Sequence, residues 1–260
     1  MKEDKRELKT FERILGNYEV AGAICSYGDA IAFAEMDNRS WIIISDTVGH
    51  VEGQGKQMKE FLDKQIMEGW GAEFDTKEEI ADLGRRLLIA GTGKPEIPDG
   101  LHFDWWDSPE FCYAHLLENE VSLGGINFNL VRNGKFEEIP YETSEGIKMM
   151  SPLHFDDLEN RSPYNISLRT NDVLLMASDG LEDNISYTLR LQGEETSREI
   201  AKLKLIEVMT QCKGKKPDQI RDTLITELKD YFLPRAVGNY SPTEYEYDDV
   251  TFAVIKKYNH

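Results

Sequence analysis

The chain has 260 residues, 40% of them hydrophobic, and its 48 acidic against 30 basic side chains give a net charge of −18. That is enough apolar material for a globular core, while no apolar run approaches the ~20 residues a membrane helix needs. The charge disfavours a nucleic-acid partner, because phosphates would be repelled and few counterions released. The charged start, Met1-Lys-Glu-Asp-Lys-Arg-Glu-Leu-Lys-Thr10, lacks the apolar stretch of a secretory signal. Cys25, Cys112 and Cys212 are odd in number and widely spaced, so neither a zinc pattern nor a disulfide framework is expected, and a reducing cytoplasm is the expected setting.

Residues 1–15 are expected to form an amphipathic helical lead, with Leu8, Phe11, Ile14 and Leu15 on one side. Residues 18–36 predict one or two strands with Gly28-Asp29 at a bend, and 40–45 a strongly apolar strand. Met58, Phe61, Leu62 and Ile66 have helical spacing within 54–67, and Gly69 stops that helix. Thr76-Lys-Glu-Glu79 is a capping box that opens a second helix to about Ala90. Residues 91–110 read as a loop. Segments 111–117 and 121–131 read as paired strands, and Arg132-Asn-Gly-Lys135 is a hairpin turn signal. After an irregular stretch at 140–165, strands are expected at 166–169 and 172–178, helices at 194–209 and 217–232, and a last strand at 250–257. No repeat or long linker divides the chain, so a single domain over residues 1–260 is expected. The elements do not alternate as a doubly wound parallel sheet requires, which points to antiparallel sheets with helices outside.

Three segments bring acids to strand ends. The run Val173 to Ala177 leads to Asp179, with Gly180 breaking it. Trp41-Ile-Ile-Ile-Ser-Asp46 ends in an acid before the turn Thr47-Val-Gly-His50. Asp248 and Asp249 stand just before the apolar run Phe252 to Ile255. Gathering buried carboxylates is costly without compensating cations, so the pattern suggests a hard-metal site with oxygen ligands. Turn formation is the competing role for Asp179 and Asp29, and only one of the adjacent Asp248 and Asp249 can point the same way from a strand. Glu182 and Asp183 are expected to face solvent, and His50 to be a turn or surface residue. His102, His115 and His154 have no ligand spacing. Trp41, Trp70, Trp105 and Trp106 are expected in core or lid packing.

Taken in order, Gly28-Asp29, Ser45-Asp-Thr-Val-Gly-His50, Ala177-Ser-Asp-Gly-Leu181 and Asp248-Asp-Val-Thr251 resemble the metal-dependent serine/threonine protein phosphatases of the phosphatase-2C family, in the bacterial branch typified by the sporulation stage II protein E phosphatase. Leu123-Gly-Gly-Ile-Asn-Phe-Asn-Leu-Val-Arg-Asn-Gly-Lys135 resembles a degenerate form of that family's Ala-Gly-His-Pro hairpin, and Ser151-Pro-Leu153 stands where a Pro-Leu-Gly turn is common. The resemblance spans residues 18–256. It implies an α+β fold, a β-sandwich of two mainly antiparallel sheets flanked by α-helices in four αββα layers.

The resemblance also implies a signalling hydrolase that removes phosphate from phosphoserine or phosphothreonine with a water activated by two divalent cations, Mn2+ or Mg2+. Asp46 would bridge both metals, the backbone carbonyl of Thr47 would help bind one of them, and Asp179 and Asp248 would ligate the other. Asp46, Asp179 and Asp248 would thus carry catalysis. Asp29 would hold a metal directly or through water, and Asp249 would orient Asp248 or a metal-bound water. The partner it implies is a small phosphorylated regulator of the anti-anti-sigma type. Thr47 replaces the usual glycine, Val48 the His of animal members or Met of the bacterial branch, and Gly49-His50-Val51 the usual Gly-His-Gly, with the next glycine at Gly53. Asn127 lies near the place of the missing hairpin His. These departures motivate an alternative, a catalytically weak pseudophosphatase that binds a phosphoprotein. A two-metal hydrolase of another substrate, such as a nucleotide, is a third reading, disfavoured by the lack of a glycine-rich phosphate loop or basic cluster. The segment 69–110, with Trp105-Trp106, is expected to be a mobile or partner-docking region unless its tryptophans are core.

Overall fold

A computed structural model describes residues 7–26, 28–36, 39–46, 59–60, 110–124, 128–137, 139, 164–193, 198–232 and 248–258. The expectations for Thr47, Val48, His50, Asn127, Ser151–Leu153, the helix at 76–90 and the Trp105-Trp106 segment lie outside the described residues, as does the helix at 54–67 except for helical Lys59 and Glu60.

Apolar β-branched runs with turn residues between them form two antiparallel sheets. The six-stranded sheet has the order β1 (Lys9–Leu15), β2 (Tyr18–Cys25), β11 (Val250–Lys257), β10 (Val173–Ala177), β7 (Phe128–Arg132), β8 (Lys135–Glu137). The five-stranded sheet has the order β3 (Ala30–Met36), β4 (Arg39–Asp46), β5 (Glu110–Leu116), β6 (Val121–Gly124), β9 (Tyr164–Ile166). Beyond helical Lys59 and Glu60, the helices among the described residues are α1 (Gly180–Leu191), α2 (Arg198–Thr210) and α3 (Pro217–Phe232).

Side chains alternate between faces along each strand, and this alternation builds two cores. Ile42, Ile44, Leu123, Leu174, Met176 and Ile255 pack between the sheets. Leu175, Phe252 and Val254 face the other way and meet Ile185, Leu205 and Leu224 of the helices. On the far face of the five-stranded sheet Trp41, Ile43, Tyr113 and His115 are buried too. The Trp41 ring stacks on His115 at 3.5 Å. The expected β-sandwich with helices is thus present.

Four local expectations are corrected. The lead expected to be helical over 1–15 contains strand β1, paired with β2 from Lys9↔Ile24 to Leu15↔Tyr18. The two-residue turn Gly16-Asn17 closes that hairpin, with Gly16 at φ 53, where a side chain would be strained. Phe11 meets the Phe33 ring edge-on at 5.2 Å, and Arg221 of α3 donates to the Phe11 carbonyl and the Glu12 carboxylate. Tertiary pairing overrides the helical spacing. The single strand expected at 121–131 is two strands, β6 and β7, which belong to different sheets. The strand expected at 166–169 lies at 164–166. The strand-ending turn expected at Asp179-Gly180 opens helix α1, in which Leu181, Ile185 and Leu189 recur every fourth residue and are buried. The hairpin at 132–135 is present, with Asn133 and Gly134 at φ 55 and 75 as its turn requires.

Candidate metal centre

Strand register brings the acids together. Ala30 pairs with Ser45, so Asp29 and Asp46, one residue further out, end adjacent strands of the five-stranded sheet. Ala177 pairs with Phe252, and the Ser178 N–H donates to the Thr251 carbonyl at 2.8 Å. Asp179 and the pair Asp248-Asp249 therefore leave the six-stranded sheet side by side. Val250 pairs with Cys25, and from Ser26 to Asp29 the chain crosses to the other sheet. Carboxylates from both sheets converge at this end of the sandwich.

The convergence is visible in the electrostatics. Asp29 is 2% exposed, and among the described residues no donor stands within hydrogen-bonding geometry of either carboxylate oxygen. Burial, then the charges of Asp249 and Asp248, raise its pKa well above the ordinary value, against a smaller opposing pull from the Thr251 and Ser178 hydroxyls. Burial also raises Asp46, followed by Asp29, Asp179 and Asp248. Such a set is unfavourable as bare carboxylates and suited to hard divalent cations, which take carboxylate oxygens as ligands. The residues present fit that group.

Asp249 has a different place from Asp248. It is 1% exposed, and its Oδ2 accepts from the Ser26 hydroxyl at 2.8 Å and from the Gly28 N–H. Ser26 Oγ in turn accepts from the Asp29 N–H. Asp249 thereby braces the crossover that presents Asp29. Its own N–H donates to Asp248 Oδ1 at 2.9 Å. Asp248 is held by Asn184 of α1, whose Oδ1 accepts from the Asp248 N–H at 2.8 Å while its Nδ2 donates to the Asp248 carbonyl at 2.9 Å.

Asp179 is the N-cap of α1, with no side-chain cap bond to its own helix. The neighbouring Gly180 is required by space: a Cβ there would overlap the Asp249 carbonyl oxygen and stand 3.1 Å from Asp248 Cβ. Asp183, expected to face solvent, is partly buried, and its carboxylate lies with those of Asp179 and Asp248 so that one oxygen of each falls within 4.8 Å of the others. Its spacing of four from Asp179 places it on the same helix face, a signal that becomes legible only once α1 is recognised. Cys112 of β5 is fully buried, with Sγ 3.8 Å from the Ala177 carbonyl. Burial and the charges of Asp29 and Asp179 push its thiol pKa up, which disfavours the thiolate form.

No protein-family model and no curated protein matches this sequence. Solved structures do match it in fold. The PP2C phosphatase domain of the cell fate determinant SpoIIE from Bacillus subtilis, with a fragment of its regulatory domain, is 13% identical at a TM-score of 0.56, over 97% of this chain and 70% of that one. The RsbU and RsbW domains of a Mycobacterium tuberculosis protein are 14% identical at a TM-score of 0.57, over 94% of this chain and 62% of that one. RsbX in complex with magnesium is 10% identical at a TM-score of 0.54, over 95% of this chain and 99% of that one. The chain has the fold of the PP2C-family phosphatases.

Proposed function

We propose that this protein is a divalent-metal-dependent phosphatase that hydrolyses phosphoserine or phosphothreonine in a protein substrate. One observation carries the reading: carboxylates from both sheets of a PP2C-type sandwich meet at one end, among them the buried Asp29, which burial and the charges of Asp249 and Asp248 disfavour as a bare anion. Asp46, Asp179 and Asp248 would hold two cations, Mn2+ or Mg2+, together with Asp29 and the carbonyl of Thr47. When bound, such cations lower the pKa of a coordinated water and neutralise charge on a phosphoryl group. The chain's own task is positioning. Asp249 keeps the Asp29 crossover in place, and Gly180 leaves room for the Asp248-Asp249 backbone.

The substrate we propose is a small phosphorylated regulator of the anti-anti-sigma type, in keeping with the fold shared with SpoIIE and with a protein bearing RsbU and RsbW domains. The cytoplasm suits three buried free cysteines. Among the described residues no helix is long and apolar enough to cross a membrane. Thr47 after the proposed bridging acid, and the degenerate hairpin that lacks the usual histidine, favour the second reading, a phosphoprotein-binding module with weak catalysis. Hydrolysis of p-nitrophenyl phosphate and of a phosphoserine peptide, each with Mn2+ and with EDTA, decides between them. Metal-dependent turnover of both supports the enzyme. Peptide binding without turnover supports the module, and undiminished turnover in excess chelator, with trace metal removed, refutes the metal centre.

A further inference from the structure

We propose that Asn184 is a positioning residue for the metal centre, setting where Asp248 stands and hence how tightly a divalent cation is held. The proposal rests on the reading of that centre as a cation site. Asp248 lies just outside the sheet. The pairing of β11 with β2 begins at Val250↔Cys25, and its pairing with β10 runs no further than Phe252↔Ala177. Residue 248 therefore lies beyond the described ladders. The Asn184 amide holds its backbone there, accepting from its N–H at 2.8 Å and donating to its carbonyl at 2.9 Å. The amide does what a neighbouring strand would do.

The pairing is demanding. A primary amide supplies an acceptor and a donor side by side; an ionised carboxylate accepts only, and an aliphatic side chain does neither. Asn184 is 2% exposed, so water cannot readily replace it. It stands on the helix that begins beside Asp179. One rigid element thus fixes Asp179 through its own backbone and Asp248 through the clamp, and so sets the separation of two proposed ligands that come from distant parts of the sequence. A side chain that orients a ligand in this way typically changes metal affinity by ~10–100-fold when removed.

The test is calorimetric titration of the metal-free protein with Mn2+, together with amide hydrogen exchange at Asp248 in the metal-free state. Asn184→Ala and Asn184→Leu should bind Mn2+ about 10–100-fold more weakly and exchange the Asp248 amide faster. Leu189→Ala, in the buried face of the same helix, should lower the melting temperature and leave the Mn2+ constant unchanged. The near-isosteric Asn184→Leu carries the test should Asn184→Ala not fold. Wild-type Mn2+ affinity in a folded Asn184 variant, an Asp248 amide unprotected in the wild type, or a Leu189→Ala loss of Mn2+ affinity equal to that of the Asn184 variants each overturns the proposal and leaves the metal centre standing. A wild-type protein that binds no Mn2+ removes the centre and the proposal together.

Discussion

Asp29 is the residue on which the electrostatics of this chain turn. A carboxylate this deeply buried, facing Asp248 and Asp249, is disfavoured as an anion. Asp46 shares the same strain. Replacing Asp46 by Asn should therefore raise the melting temperature of the chelated protein while lowering Mn2+-dependent turnover by at least ~10²-fold. A less stable, fully active variant would contradict both parts. The pH dependence follows with a definite sign. Both carboxyls have folded-state pKa values above the unfolded value of about 4, so between that value and the raised one the folded chain binds more protons than the unfolded chain. Their contribution to stability is then lost as pH rises through the window. Chelated wild type should lose more of its melting temperature between pH 5 and 7 than chelated Asp46→Asn does. Saturating Mn2+ should flatten the wild-type trend, since cations and protons compete for the same oxygens. Equal slopes for the two chelated proteins would remove the linkage.

At the scale of elements, Gly180 and β1 show what a linear pattern conveys and what it hides. The acids at strand ends were legible, because an apolar run that stops at a carboxylate marks the place where a buried strand reaches the surface. Helix α1 was not, because Asp179-Gly180 is also a turn signal and glycine is a poor helix former. With α1 went Asp183 and Asn184, which matter only once four-residue spacing is recognised and β11 is known to lie alongside. Gly180→Ala should destabilise the protein by about 1–3 kcal/mol, as overpacking does, and weaken Mn2+ binding as well, because the added methyl meets the Asp248-Asp249 backbone. Thermal melts and Mn2+ titration of that variant check both effects; an unchanged melting temperature would mean that the backbone yields. The strand β1 carries a helical signal because Phe11, Ile14 and Leu15 satisfy a helical stripe equally well. A strand puts residues 11 and 14 on opposite faces, and Ile14 is 65% exposed. Phe11→Ala should cost about 1–2 kcal/mol, below the ~3–5 of a fully buried phenylalanine, whereas Ile14→Lys should leave the denaturation midpoint unchanged. Equal losses would favour the helical stripe.

For the whole molecule, the assignment of strands to sheets was the least legible feature. Leu123 and Leu130 are both apolar and both face the inter-sheet core, yet they belong to different sheets. Nothing local in 121–131 announces that the chain changes partners there, since register and sheet membership are set by strands distant in sequence. That division has a consequence for the acids. Asp29 and Asp46 belong to the five-stranded sheet, while Asp179 and Asp248 extend the six-stranded one. A cation held as proposed by both pairs would be a caliper closed across the sandwich, and its affinity would read the gap between two surfaces packed on a shared apolar layer. Leu174→Ala, which thins the filling between the sheets, should slacken Mn2+ binding although it removes no ligand. Leu205→Ala, of similar cost but on the helix side of the six-stranded sheet, should leave the reading unchanged. If calorimetry finds the two alike, the jaws are set by the acid loops alone; if they differ as expected, residues throughout the inter-sheet layer bear on metal affinity by fixing how wide the jaws stand.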